Sequence, residues 1–441
     1  MKADILIIGG GPAGIVSAVT ARQKNPKKTI TLVRREEKAV IPCGLPYIFK
    51  RLKSIDEDIM PDNPLKKANV NLLIDEAVRI EVKKKKVVLK KGEEIGYKKL
   101  ILASGSETQL IPVQGIDYAW QIKKDYQYLS QMRRALNKAR EIVIIGGGFI
   151  GVELAEELSG FKNKEISIIE ILDHCLSVNF DDEFAEAAER KLKEKGVNIY
   201  TGVRVKKISQ NKKIKYVVLS NGKKIRADEI VLSIGARPNV ELAEKAEIRV
   251  EPKGAVKVDS YMRTSAKDVF AVGDCAQTRD FITGKKVPIM LASVACAEAR
   301  IAAANLYKAK VRNPGTVGAF STFINGLTLG AVGFTQKRAK TEGIDILIGK
   351  AEVPNHHPSK LPGTGPIIVK LIFSRKEKLL IGAELMGPES VAELTNVLSL
   401  AIQRKITASQ LAFSQFATHP LLTPAPTVYP LISASLEVLG K

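Results

Sequence analysis

The run Ile5-Leu6-Ile7-Ile8-Gly9-Gly10-Gly11-Pro12-Ala13-Gly14 decides how the rest of the chain is read. An apolar strand enters a glycine loop, and a helical pattern, Ile15 to Gln23, follows at once. In such a unit Gly9 allows the tight turn, Gly11 lets a pyrophosphate approach the backbone, and Gly14 lets the helix pack on the sheet. The helix N-terminus then faces the phosphates, with Pro12 and Ala13 completing the loop. One G-x-G-x-x-G is weak evidence by itself; its place between strand and helix gives it weight.

The signature occurs a second time. Ile142 to Ile145 reads as a strand, Gly146-Gly147-Gly148-Phe149-Ile150-Gly151 as the loop, and Val152 to Leu158 opens a helix. The next strand, Ile166 to Ile169, ends at Glu170. A carboxylate there accepts from the ribose hydroxyls of NAD and repels the extra phosphate of NADP. No Arg or Lys stands between Glu170 and Arg190 to welcome that phosphate. Two such loops imply two dinucleotides. The first copy departs from the pattern: its second strand, Thr29 to Val33, ends in Arg34-Arg35, with Glu36 and Glu37 beyond. Either Glu36 reaches the adenosine ribose from a shifted position, or Arg34 contacts the adenosine end differently.

Other segments fit around these loops. The strand from Tyr97 ends in Ala103-Ser104-Gly105, small residues that let backbone pass close to a cofactor. Lys224 to Ile234 reads as one strand, and Gly235 to Asn239 as a loop back to the first domain. Val269 to Val272 runs into Gly273-Asp274, an acid placed for a sugar-alcohol hydroxyl of a flavin. The Ala-rich helix after it, about 289–307, points its positive end at a flavin ring. From about Gly315 the pattern changes to four antiparallel strands, starting near Leu327, Ile344, Ile367 and Leu379, then helices at 389–404 and 408–413 and a proline-rich tail. The fold class expected is α/β: two Rossmann-like dinucleotide-binding domains, the first discontinuous (1–112 and 238–314) and the second at 113–237, and a C-terminal α+β domain (315–441).

The chemistry centres on Pro42-Cys43-Gly44-Leu45-Pro46-Tyr47. A helix from Tyr47 to Leu52 would set Cys43 at its N-terminus, where unpaired N–H groups and the helix dipole favour the thiolate. Cys175, Cys275 and Cys296 lie far off in sequence and share no metal-ligand spacing. A lone redox cysteine cycles through a mixed disulfide, persulfide or sulfenic acid. The alternative is a buried structural cysteine.

Composition bounds the class. At 441 residues with 45% hydrophobic content, the chain has ample core for about three soluble domains. The first apolar run enters a glycine loop, so no signal peptide is expected. No stretch offers ~18 uninterrupted apolar residues, so no membrane span is expected. Four cysteines unpaired by pattern suit a reducing cytoplasm. The net charge of +22 comes from scattered lysines, and the densest run, Lys83 to Lys86, reads as a hairpin turn. Without a basic helix or aromatic interleaving, a nucleic-acid surface is not expected.

Taken together, the two glycine loops, Ala103-Ser104-Gly105, the Gly235 to Asn239 loop, Gly273-Asp274 and the C-terminal domain resemble the pyridine nucleotide–disulfide oxidoreductases. Cys43-Gly44-Leu45-Pro46-Tyr47 resembles the single-cysteine branch: CoA-disulfide reductases, NADH oxidases, NADH peroxidases and NADH-dependent persulfide or sulfur reductases. The two-cysteine members carry a second cysteine where this chain has Ile48. The resemblance implies FAD in the first domain, NAD(P)H in the second and a homodimer through the third; Glu170 makes NADH the expected nucleotide, with NADPH less favoured. It implies that Phe149 gates the nicotinamide pocket and that Glu153 sits near the flavin–nicotinamide contact; the alternative for Glu153 is an ordinary exposed helix residue. Pro12 stands where the peroxidases carry a histidine, and Lys360-Leu361 stand where the CoA-disulfide reductases carry tyrosines. His419-Pro420 resembles the His-Pro that two-cysteine reductases lend across the dimer, with Pro424 in place of the usual carboxylate.

These readings converge on a cytoplasmic FAD-dependent NADH oxidoreductase. Its acceptor is a small thiol-derived disulfide, persulfide or polysulfide, CoA-linked forms included. The rivals are an NADH oxidase reducing O2 at the flavin, and a flavin-bearing redox sensor or binding protein. The candidate catalytic residues are Cys43, Glu153 and His419; His419 is either a proton donor in trans or a packed interface residue.

Overall fold

The computed structural model describes residues 1–212, 214–252 and 254–441. Lys2–Ile8 is the centre of the first sheet, with Ile30–Arg34 parallel on one side and Glu94–Leu102 parallel on the other. Asn71–Ile74 extends the first edge, and Val269–Ala271 pairs parallel with Glu94–Leu102. The register puts the ends of three strands together: Ile8 faces Val33 and Leu102. Ile5, Leu6 and Ile7 are fully buried, as continuous apolar runs in two-sided parallel sheets must be. The helices Pro12–Lys24 and Ala292–Asn305 pack against each other beside this sheet.

The second parallel sheet runs Asn198–Tyr200, Glu165–Ile169, Glu141–Ile145, Glu229–Leu232 and Trp120–Gln121. The expected single strand Lys224–Ile234 is in fact two strands in two sheets. Lys224–Ala227 closes a three-stranded antiparallel sheet, and Glu229–Leu232 joins the parallel one. Asp228 makes the corner, its carboxylate accepting from the Arg140 and Glu141 N–H groups at 2.9 and 3.0 Å. The chain crosses between the two parallel sheets twice, and the crossings pair side by side, Ser106–Thr108 against Ala236–Pro238.

The C-terminal part is a five-stranded antiparallel sheet covered by Ser390–Gln403 and Pro430–Leu439. Two of its elements were not expected. Ala319–Ile324 precedes the four anticipated strands, and the tail holds a helix. Pro430 sits at the first position of that helix, where its missing N–H costs nothing. Thr322, Glu384 and Lys370 of this sheet reach Glu153 and Asp181, on or beside the helices Phe149–Ser159 and Asp182–Glu194. Lys370 and Glu384 are fully buried and meet Asp181, which accepts from Lys370 Nζ at 2.7 Å.

Candidate active site

The two glycine loops open into one cavity of about 2260 Å³, more than twice the ~1,000 Å³ of a large single-ligand pocket. The first loop is shaped by its neighbours. Gly9 has φ 110°, and a Cβ there would lie 2.0 Å from the Ala103 oxygen; a Cβ on Gly14 would lie 1.9 Å from the Gly9 oxygen. Gly11 has no atom within 4 Å of such a position and faces open space. It is the N-cap of the helix Pro12–Lys24, with no side-chain cap. The orphan N–H groups of the first turn are thus left for a ligand. This cradle fits the pyrophosphate of FAD. Gly9, Gly11, Pro12, Ala13, Ala103, Ser104 and Gly105 all line the cavity, and Ser104 donates to the Asn239 carbonyl at 2.8 Å.

Asp274 lines the same end, accepting from Ser106 at 2.7 Å and lying 3.6 Å from Lys124. Gly273, at φ 71°, is buried beneath it, its N–H donating to Glu298 at 2.9 Å. Burial pushes the Glu298 carboxyl up to about 8, against the Gly273 and Thr278 hydrogen bonds that lower it. Arg34 does not line the cavity. Its guanidinium pairs with Asp62 at 2.6 Å and donates to the Glu36 and Glu37 carbonyls. Its stem fills the space beside Gly10, where a Cβ would lie 2.3 Å from Arg34 Cδ. Of the two alternatives at the adenosine end, the structure therefore removes Arg34 from the cavity and leaves Glu36 on its wall, bonded to Arg35 at 2.8 Å.

The second loop repeats the first. Gly146 has φ 108°, Gly148 is the open N-cap of Phe149–Ser159, and a Cβ on Gly151 would lie 2.0 Å from the Gly146 oxygen. Glu170 is buried and lines the cavity. Its carboxylate accepts from the Gly147 N–H at 2.6 Å and the Leu172 N–H at 2.8 Å. Gly235 and Ile150 lie on the same wall. Phe149 stacks on Phe320 at 5.6 Å and meets Phe180 edge-on at 6.1 Å. Glu153 also faces the cavity, where Thr322 donates to it at 2.9 Å. Burial pushes its carboxyl up to about 7, opposed by the Thr322 bond and reinforced by Glu157. It is not the ordinary exposed helix residue that was the alternative.

The Cys43 segment departs from expectation. No α-helix runs from Tyr47 to Leu52; Pro42–Phe49 is a 3₁₀ helix with Cys43 in its first turn. Pro42 and Pro46 lack N–H donors, which leaves an α-helical ladder incomplete. A carboxylate oxygen of Asp58 sits 1.8 Å from where a Gly44 Cβ would be, so only glycine fits beside the cysteine. The thiol is exposed on the cavity wall, yet its pKa is raised. Desolvation by the cleft is the main cause, Glu153 adds to it, and Lys124 opposes. The expected thiolate bias gives way to this desolvation, which outweighs what the few aligned peptide dipoles of a short 3₁₀ turn offer. Cys275 is buried and Cys296 half-buried.

His419 lies outside this cavity, on the surface, its Nδ1 accepting from the Leu421 N–H at 3.3 Å. A single chain therefore brings Cys43 and Glu153 into one cleft but not His419. Lys124, Ser106, Thr322 and Arg204 reach the cavity or its lining side chains without having been singled out in the sequence. They come from crossings, strand ends and the C-terminal sheet, and no local motif marks them.

This arrangement defines a two-dinucleotide redox enzyme. The chain belongs to the pyridine nucleotide-disulphide oxidoreductase family, whose model matches residues 3–299, with the family's dimerisation domain matching 320–428. It is an FAD-dependent NAD(P)H oxidoreductase. It is 30% identical over 452 residues to an NADH oxidase of Methanocaldococcus jannaschii, covering 99% of this chain and 98% of that one. It is 28% identical to the NAD(P)H coenzyme A polysulfide/persulfide reductase of Pyrococcus horikoshii, with 96% of each chain covered. The structure of a NAD-dependent persulfide reductase from A. fulgidus superposes with a TM-score of 0.91 at 31% identity, covering 100% of this chain and 83% of that one. No helix among the described residues is long and apolar enough to cross a membrane.

Proposed function

We propose that the protein passes two electrons from NADH by way of FAD to Cys43, and from there to a small disulfide, persulfide or polysulfide, CoA-linked forms included. The observation that carries this reading is Cys43 itself. It is an exposed thiol on the wall of the cavity that both glycine loops enter, with Ile48 fully buried where a second cysteine would stand. Bound FAD supplies the two-electron relay between nicotinamide and sulfur. The chain's own residues do the rest. Gly9, Gly11, Gly14, Ala103 to Gly105, Asp274 and Glu36 hold and orient FAD; Gly146, Gly148, Gly151, Glu170 and Gly235 hold NADH. Phe149 closes the nicotinamide end, and Glu153 holds a proton there below about pH 7.

At the acceptor, the Cys43 thiolate attacks one sulfur of the S–S bond and a mixed disulfide forms, which the two electrons relayed from NADH would then cleave to free the bound sulfur and restore the Cys43 thiolate; the sulfur displaced in the first attack leaves as a thiol that needs a proton. His419 of the second subunit donates it in the homodimer. The units 1–112 with 238–314, 113–237 and 315–441 serve FAD, NADH and dimerisation, and the enzyme works in the cytoplasm. The raised pKa of Cys43 favours a second reading, an NADH oxidase whose acceptor is O2, because that reading asks less of a standing thiolate. An anaerobic panel of disulfides, persulfides and polysulfide, run beside oxygen consumption, separates them. Faster turnover with a sulfur acceptor supports the first reading; turnover with O2 alone overturns it.

A further inference from the structure

Four arginines line the cavity: Arg35, Arg204, Arg237 and Arg338. Three have carboxylate partners, Arg35 with Glu36 at 2.8 Å, Arg237 with Glu107 at 3.3 Å and Arg338 with Asp280 at 2.7 Å. Among the described residues Arg204 pairs with none. Backbone bonds fix where it stands. The Gly202 N–H donates to the Leu172 carbonyl at 2.8 Å and the Val203 N–H to the Glu170 carbonyl at 3.2 Å. These pin the segment leading to Arg204 alongside the end of the strand that terminates at Glu170. The Arg204 N–H and carbonyl are tied to Ser220 on the other side.

Glu170 is itself less repulsive to a phosphate than a free carboxylate. One oxygen accepts from Gly147 N–H and the other from Leu172 N–H. Two amide dipoles thus offset part of its charge at the place where an adenosine ribose binds. A cavity lined by both this screened carboxylate and Arg204, whose backbone follows directly on the segment bonded to Glu170 and Leu172, is suited to a ribose that bears a 2′-phosphate as well as to one that does not. Arginine's planar fork holds such a phosphate through two parallel hydrogen bonds.

We propose that Arg204 is the specificity-determining residue of the nicotinamide-nucleotide site, binding the 2′-phosphate of NADPH and giving the enzyme use of NADPH beside NADH. The inference rests on the reading of the second glycine loop as the nicotinamide-nucleotide site. The linear sequence hides it, because Arg204 is 34 positions beyond Glu170, past the interval where a phosphate-binding arginine is sought.

The test uses the FAD-loaded full-length protein and two readouts. The first is anaerobic flavin reduction by NADH and by NADPH in wild type, Arg204→Gln and Arg204→Lys. The second is calorimetric binding of 2′,5′-ADP and of 5′-ADP to the same proteins. Arg204→Gln lowers the NADPH-to-NADH ratio of kcat/KM by about ten- to hundredfold, the worth of a charge-assisted pair. It weakens 2′,5′-ADP binding by a similar factor relative to 5′-ADP, and Arg204→Lys restores part of both. A ratio unchanged within about twofold, or 2′,5′-ADP bound by Arg204→Gln as tightly as by wild type, overturns the inference and leaves the NADH site standing. Failure of both nucleotides to reduce the wild-type flavin overturns the reading of the site and this inference with it.

Discussion

The two glycine loops are nearly the same object built twice, and they part company at the end of the following strand. Gly9 and Gly146 have φ of 110° and 108°. Gly14 and Gly151 press on the oxygens of Gly9 and Gly146, and Gly11 and Gly148 are left open. Beyond the loop, the first copy has Arg34, folded away under Gly10 into a pair with Asp62. The second has Glu170, bonded to the Gly147 N–H and facing the cavity. Phosphate recognition uses backbone, so both copies must pay the same steric terms. Sugar recognition uses a side chain, so each copy is free to solve it differently.

Breaking the shared part should have the largest effect. Gly151→Val places side-chain atoms against the Gly146 oxygen and the Ser233 hydroxyl, which lie 2.0 and 2.7 Å from a Cβ at that position. We expect a yellow, FAD-loaded protein whose flavin NADH no longer reduces, seen by anaerobic bleaching near the flavin absorption band. A variant reduced at the wild-type rate would show that the second loop does not carry the nicotinamide nucleotide.

Removing the divergent side chains should separate stability from specificity. Arg34→Met leaves Asp62 unpaired and costs about 2–3 kcal/mol, at the low end for a broken buried pair because Asp62 is partly open to water. Denaturant unfolding reads that loss, and the ratio of NADH to NADPH use stays as in wild type. Glu170→Ala, by contrast, changes nucleotide choice as well as leaving the Gly147 and Leu172 N–H groups without their acceptor: NADH preference over NADPH narrows by about tenfold through loss of the ribose contacts. An Arg34 variant with altered nucleotide preference would break the contrast between the two copies.

The smallest effect is a pH slope. Cys43 has its pKa raised, so its thiolate fraction is still rising through pH 9. The rate of attack on a disulfide should therefore climb with pH across about 7 to 9, where the thiol remains mostly protonated. Flavin reduction by NADH does not depend on that thiolate. A rate already flat above pH 7 would mean that the bound enzyme lowers the thiol after all.

Both dinucleotide loops were legible in the sequence because only glycine meets their φ values and close approaches. Glu170 was legible because it sits at a fixed distance from its loop. The charge state of Cys43 was not. The thiol is pushed up first by desolvation in the folded cleft and then by Glu153, against Lys124, and none of these has a sequence spacing. The turn at Asp228 was hidden because no Gly or Pro stands between Lys224–Ala227 and Glu229–Leu232 to mark it. The tail helix was hidden by its prolines, which read as breakers until one is seen at a helix start. Thr322 and Arg204 were invisible for the same reason as Lys124: each reaches the site by tertiary folding.

The central claim is that electrons leave the protein through Cys43. Anaerobic rapid mixing of FAD-loaded Cys43→Ser tests it in two stages. NADH should reduce the flavin at close to the wild-type rate, since hydride transfer needs no thiol, while turnover of disulfide or persulfide falls by at least about a hundredfold. Undiminished sulfur turnover in Cys43→Ser would contradict the account.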